Sequence, residues 1–259
     1  MKLHHRVLLL SSLLLFVAGP VFAQGWGTIK GQVVWGPEKI PERMPLKVDK
    51  DQAACLKNGP LLDETFVIDK DTKGVKWVMV WLANAKEPKN PKAEIPIHPK
   101  LKELKEKTVS IDQPCCVYEP HVFGIRVGQT LVCKNTATIP HNVKIEGGLY
   151  NQSLNQLVPP GAKLEVANLN PTAFGAMPIQ CSIHGWMRCD ARIFNHPYFA
   201  VTNDKGEFEI KDAPAGEFRI VIWHPESWVL PGRFEGMPIT IKANGVTDMG
   251  KVKFNPPAK

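Results

Sequence analysis

The chain has 259 residues, 44% of them hydrophobic, and a formal charge of +7 at pH 7. That hydrophobic share sustains a packed core and excludes a disordered chain, and the length suits one large or two modest domains. The basic excess is mild and has no interleaved aromatics to stack on bases, so no nucleic-acid partner is expected.

Residues 1–23 read as a cleaved secretory signal peptide. Lys2 and Arg6 form a short positive region, Val7–Val17 an apolar run, and Val21-Phe22-Ala23 a small-residue cleavage site before Gln24. The apolar run is shorter than the ~20 residues a spanning helix needs, which sets a membrane anchor aside. No cysteine follows the site to carry a lipid. The expected location is periplasmic or secreted, with no stable membrane insertion. Without Lys2 and Arg6 the charge falls from +7 to +5.

Residues 24–107 form an N-terminal β segment. "TIKGQVVW" puts Ile29, Gly31, Val33 and Trp35 on one strand face, and "GVKWVMVWL" is a more fully buried run. Ala85–Lys107 is rich in Lys and Pro and reads as a solvated loop, with Lys100–Lys107 as the one short helix. Residues 108–195 continue in strands, "HVFGIRV" and "QTLVCKN" being joined by Gly128. In 196–259, "AVTNDKGEFEI" and "GEFRIVIW" alternate apolar and polar residues around a Pro214-Ala215-Gly216 turn. "ITIKANGVTDMGKVKF" carries Asn244-Gly245, a strong hairpin signal. The fold class is all-β, with two sandwiches expected.

Six cysteines in an exported chain suggest disulfide bonding. If Cys181 binds a metal, Cys55, Cys115, Cys116, Cys133 and Cys189 remain, and an odd number leaves at least one thiol free. Adjacent Cys115 and Cys116 rarely bond to each other, so the expected bridge is Cys55–Cys116.

"CSIHGWM", Cys181–Met187, offers a thiol, an imidazole and a thioether within seven residues. A helix would stack the three as a core stripe, but Pro178, Gly185 and the strand-like "MPIQC" before them favour a loop leaving a strand. Two His, one Cys and a weak axial Met make the blue-copper donor set, so a second His must come from elsewhere. Residues His98, His121, His141, His196 and His224 are the candidates. His141 in "IPHNV" follows a strand and precedes Asn142, whose short polar side chain suits a tight turn. His98, His196 and His224 each precede Pro, where an extended or turn role is the simpler explanation.

The stretch Tyr118–Ile145 together with "CSIHGWM" resembles the plastocyanin and amicyanin family of blue copper proteins, the cupredoxins, over Thr108–Phe194. The resemblance implies a Greek-key β-sandwich and one type 1 copper held by His141, Cys181, His184 and Met187. It implies that Asn142 ties the two ligand loops together and that His184 shows its edge to solvent as the electron exit. His121 falls where the family has no ligand. Cys133 and Cys189 depart from the family pattern, as two extra thiols that either pair or bind metal themselves. Residues 202–218, "TNDKGEFEIKDAPAGEF", resemble the carboxypeptidase regulatory-like, or transthyretin-like, β-modules. Such modules often open with a strand like Gly27–Trp35, which would make the central domain an insertion.

The expected function is electron transfer and not enzymatic catalysis. A binuclear copper centre would need a second Cys in the ligand loop, and oxidase or nitrite-reductase chemistry would need further His clusters. The expected partner is a redox protein, a cytochrome or a dehydrogenase, docking near Trp186. Two other readings use the same residues: copper delivery or storage, and a structural β-module that kept the motif without the metal.

Overall fold

The computed structural model describes residues 25–257, so the signal peptide expected at 1–23 lies outside the described residues. From the N-terminus come strand β1 (Trp26–Trp35), a one-turn helix α1 (Gln52–Cys55), β2 (Met79–Ala83) and a second short helix α2 (Pro99–Lys102). The middle of the chain runs β3 (Thr108–Ile111), β4 (Val122–Arg126), β5 (Thr130–Lys134), β6 (His141–Ile145), β7 (Leu154–Val158), β8 (Lys163–Val166), β9 (Met177–Gln180) and β10 (Arg188–Phe194). Then follow β11 (Phe199–Val201), β12 (Glu207–Pro214), β13 (Gly216–His224), β14 (Ser227–Trp228), β15 (Met237–Ile241) and β16 (Val246–Phe254). The protein is all-β, and no described helix is long and apolar enough to cross a membrane.

Strands β3 to β10 make one sandwich, a five-stranded sheet ordered β4-β10-β9-β6-β7 facing a three-stranded sheet ordered β3-β5-β8. Their inward residues, among them Ile125, Leu131, Val143, Ile179 and Ile193, form one buried cluster. Burying each such side chain is worth roughly 1.5–3 kcal/mol, which is what holds the two sheets face to face. The turn between β4 and β5 needs a left-handed residue, and Gly128 supplies it at φ 94°.

A second sandwich pairs sheet β12-β1-β16 with sheet β11-β2-β13-β14, β15 lying against β13. Its core joins Ile29, Val33 and Trp35 from β1 to Phe208, Ile222 and Phe254 from the far end of the chain. Strand β1 lies between antiparallel β12 and parallel β16. The hairpins expected in this region do not form. Strand β12 leaves the Pro214-Ala215-Gly216 turn for one sheet and β13 for the other, and β15 and β16 also part company after Asn244-Gly245. Asn244 does take the positive φ its type allows, 52°. Strands β12 and β16 pair with β1, and β15 pairs with β13, so both turns become corners between sheets. A third cluster, including Met79, Trp81, Val122 and Phe194, packs the two sandwiches together.

The helix expected over Lys100–Lys107 stops at Lys102, where Glu103 turns extended at φ −81°, ψ 137°. It buries no residue. Side chains from the β4–β5 turn take the backbone carbonyls instead: Arg126 those of Leu101 and Lys102, and Gln129 that of Glu106. Helix α1 was not expected. It sits at the tip of a strap, residues 44–63, whose ends pair through Leu46 N–H to Leu61 O (2.7 Å) and Asp63 N–H to Met44 O (2.8 Å). Val48 and Cys55 of the strap are buried in the core of the first sandwich.

Candidate metal centre

His141 opens β6, and residues 181–187 are the connection from β9 to β10. Gln180 and Arg188 are paired across that connection, which brings the two ends of the loop together. Inside it, Cys181 N–H donates to Met187 O (3.2 Å) and Met187 N–H to His184 O (2.9 Å). These bonds close the loop without a helix and turn Cys181 and His184 toward the same side. His184 N–H also points at Cys181 Sγ, 3.4 Å away.

The two loops converge. His141 Nδ1 and His184 Nδ1 are 2.9 Å apart, and Cys181 Sγ is 3.8 Å from His184 Nδ1. The ligand atoms of these three residues all lie within 4.8 Å of one another. All are buried, as is Met187 in the same core cluster. Burial, and then the neighbouring His184, lower the pKa of His141 to about 4, so its ring is neutral near pH 7. A neutral imidazole, a second imidazole and a sheltered thiol suit a soft or borderline metal ion, copper among them.

Asn142 joins the two loops through its side chain. Its Oδ1 accepts from Ser182 N–H (2.6 Å), Ile183 N–H (3.3 Å) and the Cys181 thiol (3.1 Å). Its Nδ2 donates to Ser182 Oγ (3.2 Å) and to Asn155 Oδ1. Its backbone carbonyl accepts the Tyr118 hydroxyl at 2.6 Å. With both the amide and the carbonyl engaged, the distance between the donor loops is held by a bonded network.

His184 departs from expectation. Its edge does not reach solvent: the residue is fully buried under the strap. Its Nε2 faces Asp51 Oδ2 at 2.8 Å while its Nδ1 faces His141 and Cys181, so a ring that gave its Nδ1 lone pair to a metal would donate Nε2–H to the carboxylate. Asp51 precedes α1 in a left-handed conformation, φ 49°. The strap is fastened by the Cys55–Cys116 disulfide, the bridge expected from the sequence. Trp186 is half-buried, its ring centroid 5.1 Å from that of His184 and its Nε1–H on Cys116 O at 3.1 Å. The proposed docking residue is thus also a brace between the ligand loop and the segment to which the strap is disulfide-bonded. No motif in "KVDKDQAAC" pointed to Asp51, because only the disulfide and the chain reversal carry that carboxylate over the site.

The remaining candidates stay apart from this cluster. His98, His196 and His224 share one local arrangement, in which Nδ1 accepts the N–H two residues on, from Lys100, Tyr198 and Glu226 at 3.1, 3.1 and 3.2 Å. The His-Pro pairs are turns. His121 lies 3.6 Å from Glu64 and is held neutral, with burial and then Arg188 lowering its pKa to about 4. Cys133 and Cys189 neither pair nor join a metal-binding group among the described residues. Both are buried free thiols, and burial raises that of Cys133 to about 12.

No protein-family model matches the chain, and no curated protein matches it. Among solved structures it is similar to the reduced state of an amicyanin mutant, at 22% identity over 35% of this chain and 86% of that one, with a TM-score of 0.30. A Cu-containing nitrite reductase from Thermus scotoductus SA-01 matches at 18% identity over 41% of this chain and 26% of that one, TM-score 0.31. A purple cupredoxin from Nitrosopumilus maritimus matches at 21% identity over 32% and 97%, TM-score 0.27. Likeness at that level carries no argument about function.

Proposed function

We propose that the chain is an exported type 1 copper protein of the cupredoxin kind that transfers single electrons, with His141, Cys181, His184 and Met187 as the metal ligands. The observation that carries this reading is the buried convergence of two imidazole nitrogens and one thiol sulfur within 4.8 Å. Copper, when bound, supplies a one-electron couple. The chain's own residues hold the donors still and dry. Asn142 fixes the spacing of the loops, Asp51 sets the tautomer of His184, and the surrounding core excludes water. A rigid donor set lowers the reorganisation that accompanies each electron, which serves a carrier better than a delivery protein with an open, exchangeable site.

The partner is a redox protein, a cytochrome or a dehydrogenase. Since the strap covers His184, the approach lies over Asp51 and the half-buried Trp186. The second sandwich is read as a carboxypeptidase regulatory-like module completed by β1, and the location as periplasmic or secreted. The test is the visible spectrum of the copper-loaded, oxidised protein. An intense blue band that Cys181→Ser abolishes supports the reading; bound Cu(II) with no such band overturns it in favour of delivery or storage.

A further inference from the structure

Two sets of metal-binding atoms meet at His184. The first is the cluster with His141 and Cys181. The second is His184 with Cys55 and Cys116, whose ligand atoms also lie within 4.8 Å of one another and whose residues are all buried. In this structure Cys55 and Cys116 share a disulfide, and a metal takes thiolates in preference to a disulfide. A bridge whose only task was to fasten the strap would not need an imidazole beside both sulfurs.

The bridge is buried, but a cleft of about 170 Å³ lies against its Cys116 end, lined by Ala54, Cys115, Cys116, Thr138 and Ile139 among others. Cys115 in that cleft is a free, half-exposed thiol with its Sγ 3.4 Å from Cys55 O.

We propose that reduction of the Cys55–Cys116 bridge opens a second soft-metal site, formed by the two thiolates and His184, and that this site takes Cu(I). The proposal rests on the copper reading of the first site for its biological sense, though not for its chemistry. The opening step is thiol–disulfide exchange: a dithiol reductant gives two electrons and two protons to the bridge and leaves as its own disulfide, and the protein gains two thiols. Metal binding then expels the two thiol protons to solvent. Soft thiolates select Cu(I), and three donors fit its low coordination number better than they fit zinc, which takes four.

His184 belongs to both sets, so an ion that moves from the reduced bridge to the first site keeps His184 and exchanges the two thiolates for Cys181 and His141. Closing the bridge, by exchange with a disulfide donor that leaves as two thiols, withdraws the thiolates of Cys55 and Cys116 and fastens the strap that carries Asp51 over the centre. The strap is a loading port when reduced and a lid when oxidised.

The experiment uses Cys181→Ser, which removes the thiolate of the first site and keeps the bridge. The protein is held without oxygen, with its bridge intact or opened by dithiothreitol that is then removed, and titrated with Cu(I) buffered by bicinchoninate. The reduced form is expected to bind one Cu(I) at least about 100-fold tighter than the oxidised form, with two sulfur ligands by X-ray absorption. The triple variant Cys55→Ser/Cys116→Ser/Cys181→Ser is expected to lose that gain, and Cys115→Ser/Cys181→Ser to keep it. Re-forming the bridge in the same Cys181→Ser sample should restore the weak affinity, which controls for unfolding. No gain on reduction, a gain that survives in the triple variant, or displacement of Cu(I) by equimolar Zn(II) overturns the proposal. A wild type that binds Cu(II) without colour sinks the electron-carrier reading alone, because this comparison does not involve Cys181.

Discussion

Asp51→Asn should raise the reduction potential of the copper-loaded protein. Asparagine keeps an oxygen that can accept from His184 Nε2 but removes the negative charge, which favours the more positive, oxidised metal. Asp51 Oδ2 lies 2.8 Å from Nε2. Crossing the ring to Nδ1 and on to a bound metal adds about 4 Å, so the charge is about 7 Å from the ion and worth roughly 2.4 kcal/mol at an effective dielectric of about 20. The Asp51 side chain is 42% exposed. Water and salt screening bring the effect to about 1–2 kcal/mol, or about 40–90 mV for one electron. The assay is an equilibrium redox titration of wild type, Asp51→Asn and Asp51→Glu at low and high salt, followed by the charge-transfer band. Asp51→Glu should stay close to wild type. A shift of under about 10 mV, or a shift downward, would refute the claim that the strap carboxylate acts on the metal through His184.

Met187→Leu should keep copper and colour while raising the potential, since an axial thioether is a weak, tuning ligand; loss of the metal would show that Met187 does more. Trp186→Ala should slow electron transfer to the partner and leave the band nearly unchanged, and Arg188→Glu should alter the salt dependence of that rate. Bleaching by Trp186→Ala alone would make the indole's bond to Cys116 O a structural one only. Stability of the metal-free protein should fall on acidification. Burial above all lowers His196 and His224 to about 3, whereas unfolded histidine titrates near 6.5. The unfolded chain therefore binds protons first: stability is full above about pH 6.5 and drops between there and pH 3 by up to ~1.4 kcal/mol per unit per histidine. Denaturant titrations from pH 7 to 4.5 should show a shallower loss for His224→Gln, and an unchanged slope would refute the assignment.

The sequence by itself determined the parts that depend on local chemistry. Alternation in "TIKGQVVW" places β1, because a strand with one wet face must repeat every two residues, and the continuous apolar run "GVKWVMVWL" places β2, which is buried on both faces. The spacing Cys181-x2-His184-x2-Met187 is a loop's worth of donors, and the need for a second imidazole narrowed the choice to five histidines. The His-Pro pairs read as turns for a reason confined to three residues.

What only the tertiary structure decided is where separated segments meet. Asn244-Gly245 has the residue types of a hairpin, yet its flanking strands enter different sheets, β15 pairing with β13 and β16 with β1. The helix expected over Lys100–Lys107 lost its carbonyls to Arg126 and Gln129, side chains more than twenty residues away. The change that matters most for function is at His184. Its motif places it in a loop and the family resemblance implies an exposed edge, but 133 residues upstream Asp51 is carried over it by a strap whose hold is the Cys55–Cys116 bond. Local periodicity carries no information about that contact: a charge and a ring far apart in sequence are joined only when a cross-link and a buried core fix both ends of the chain between them.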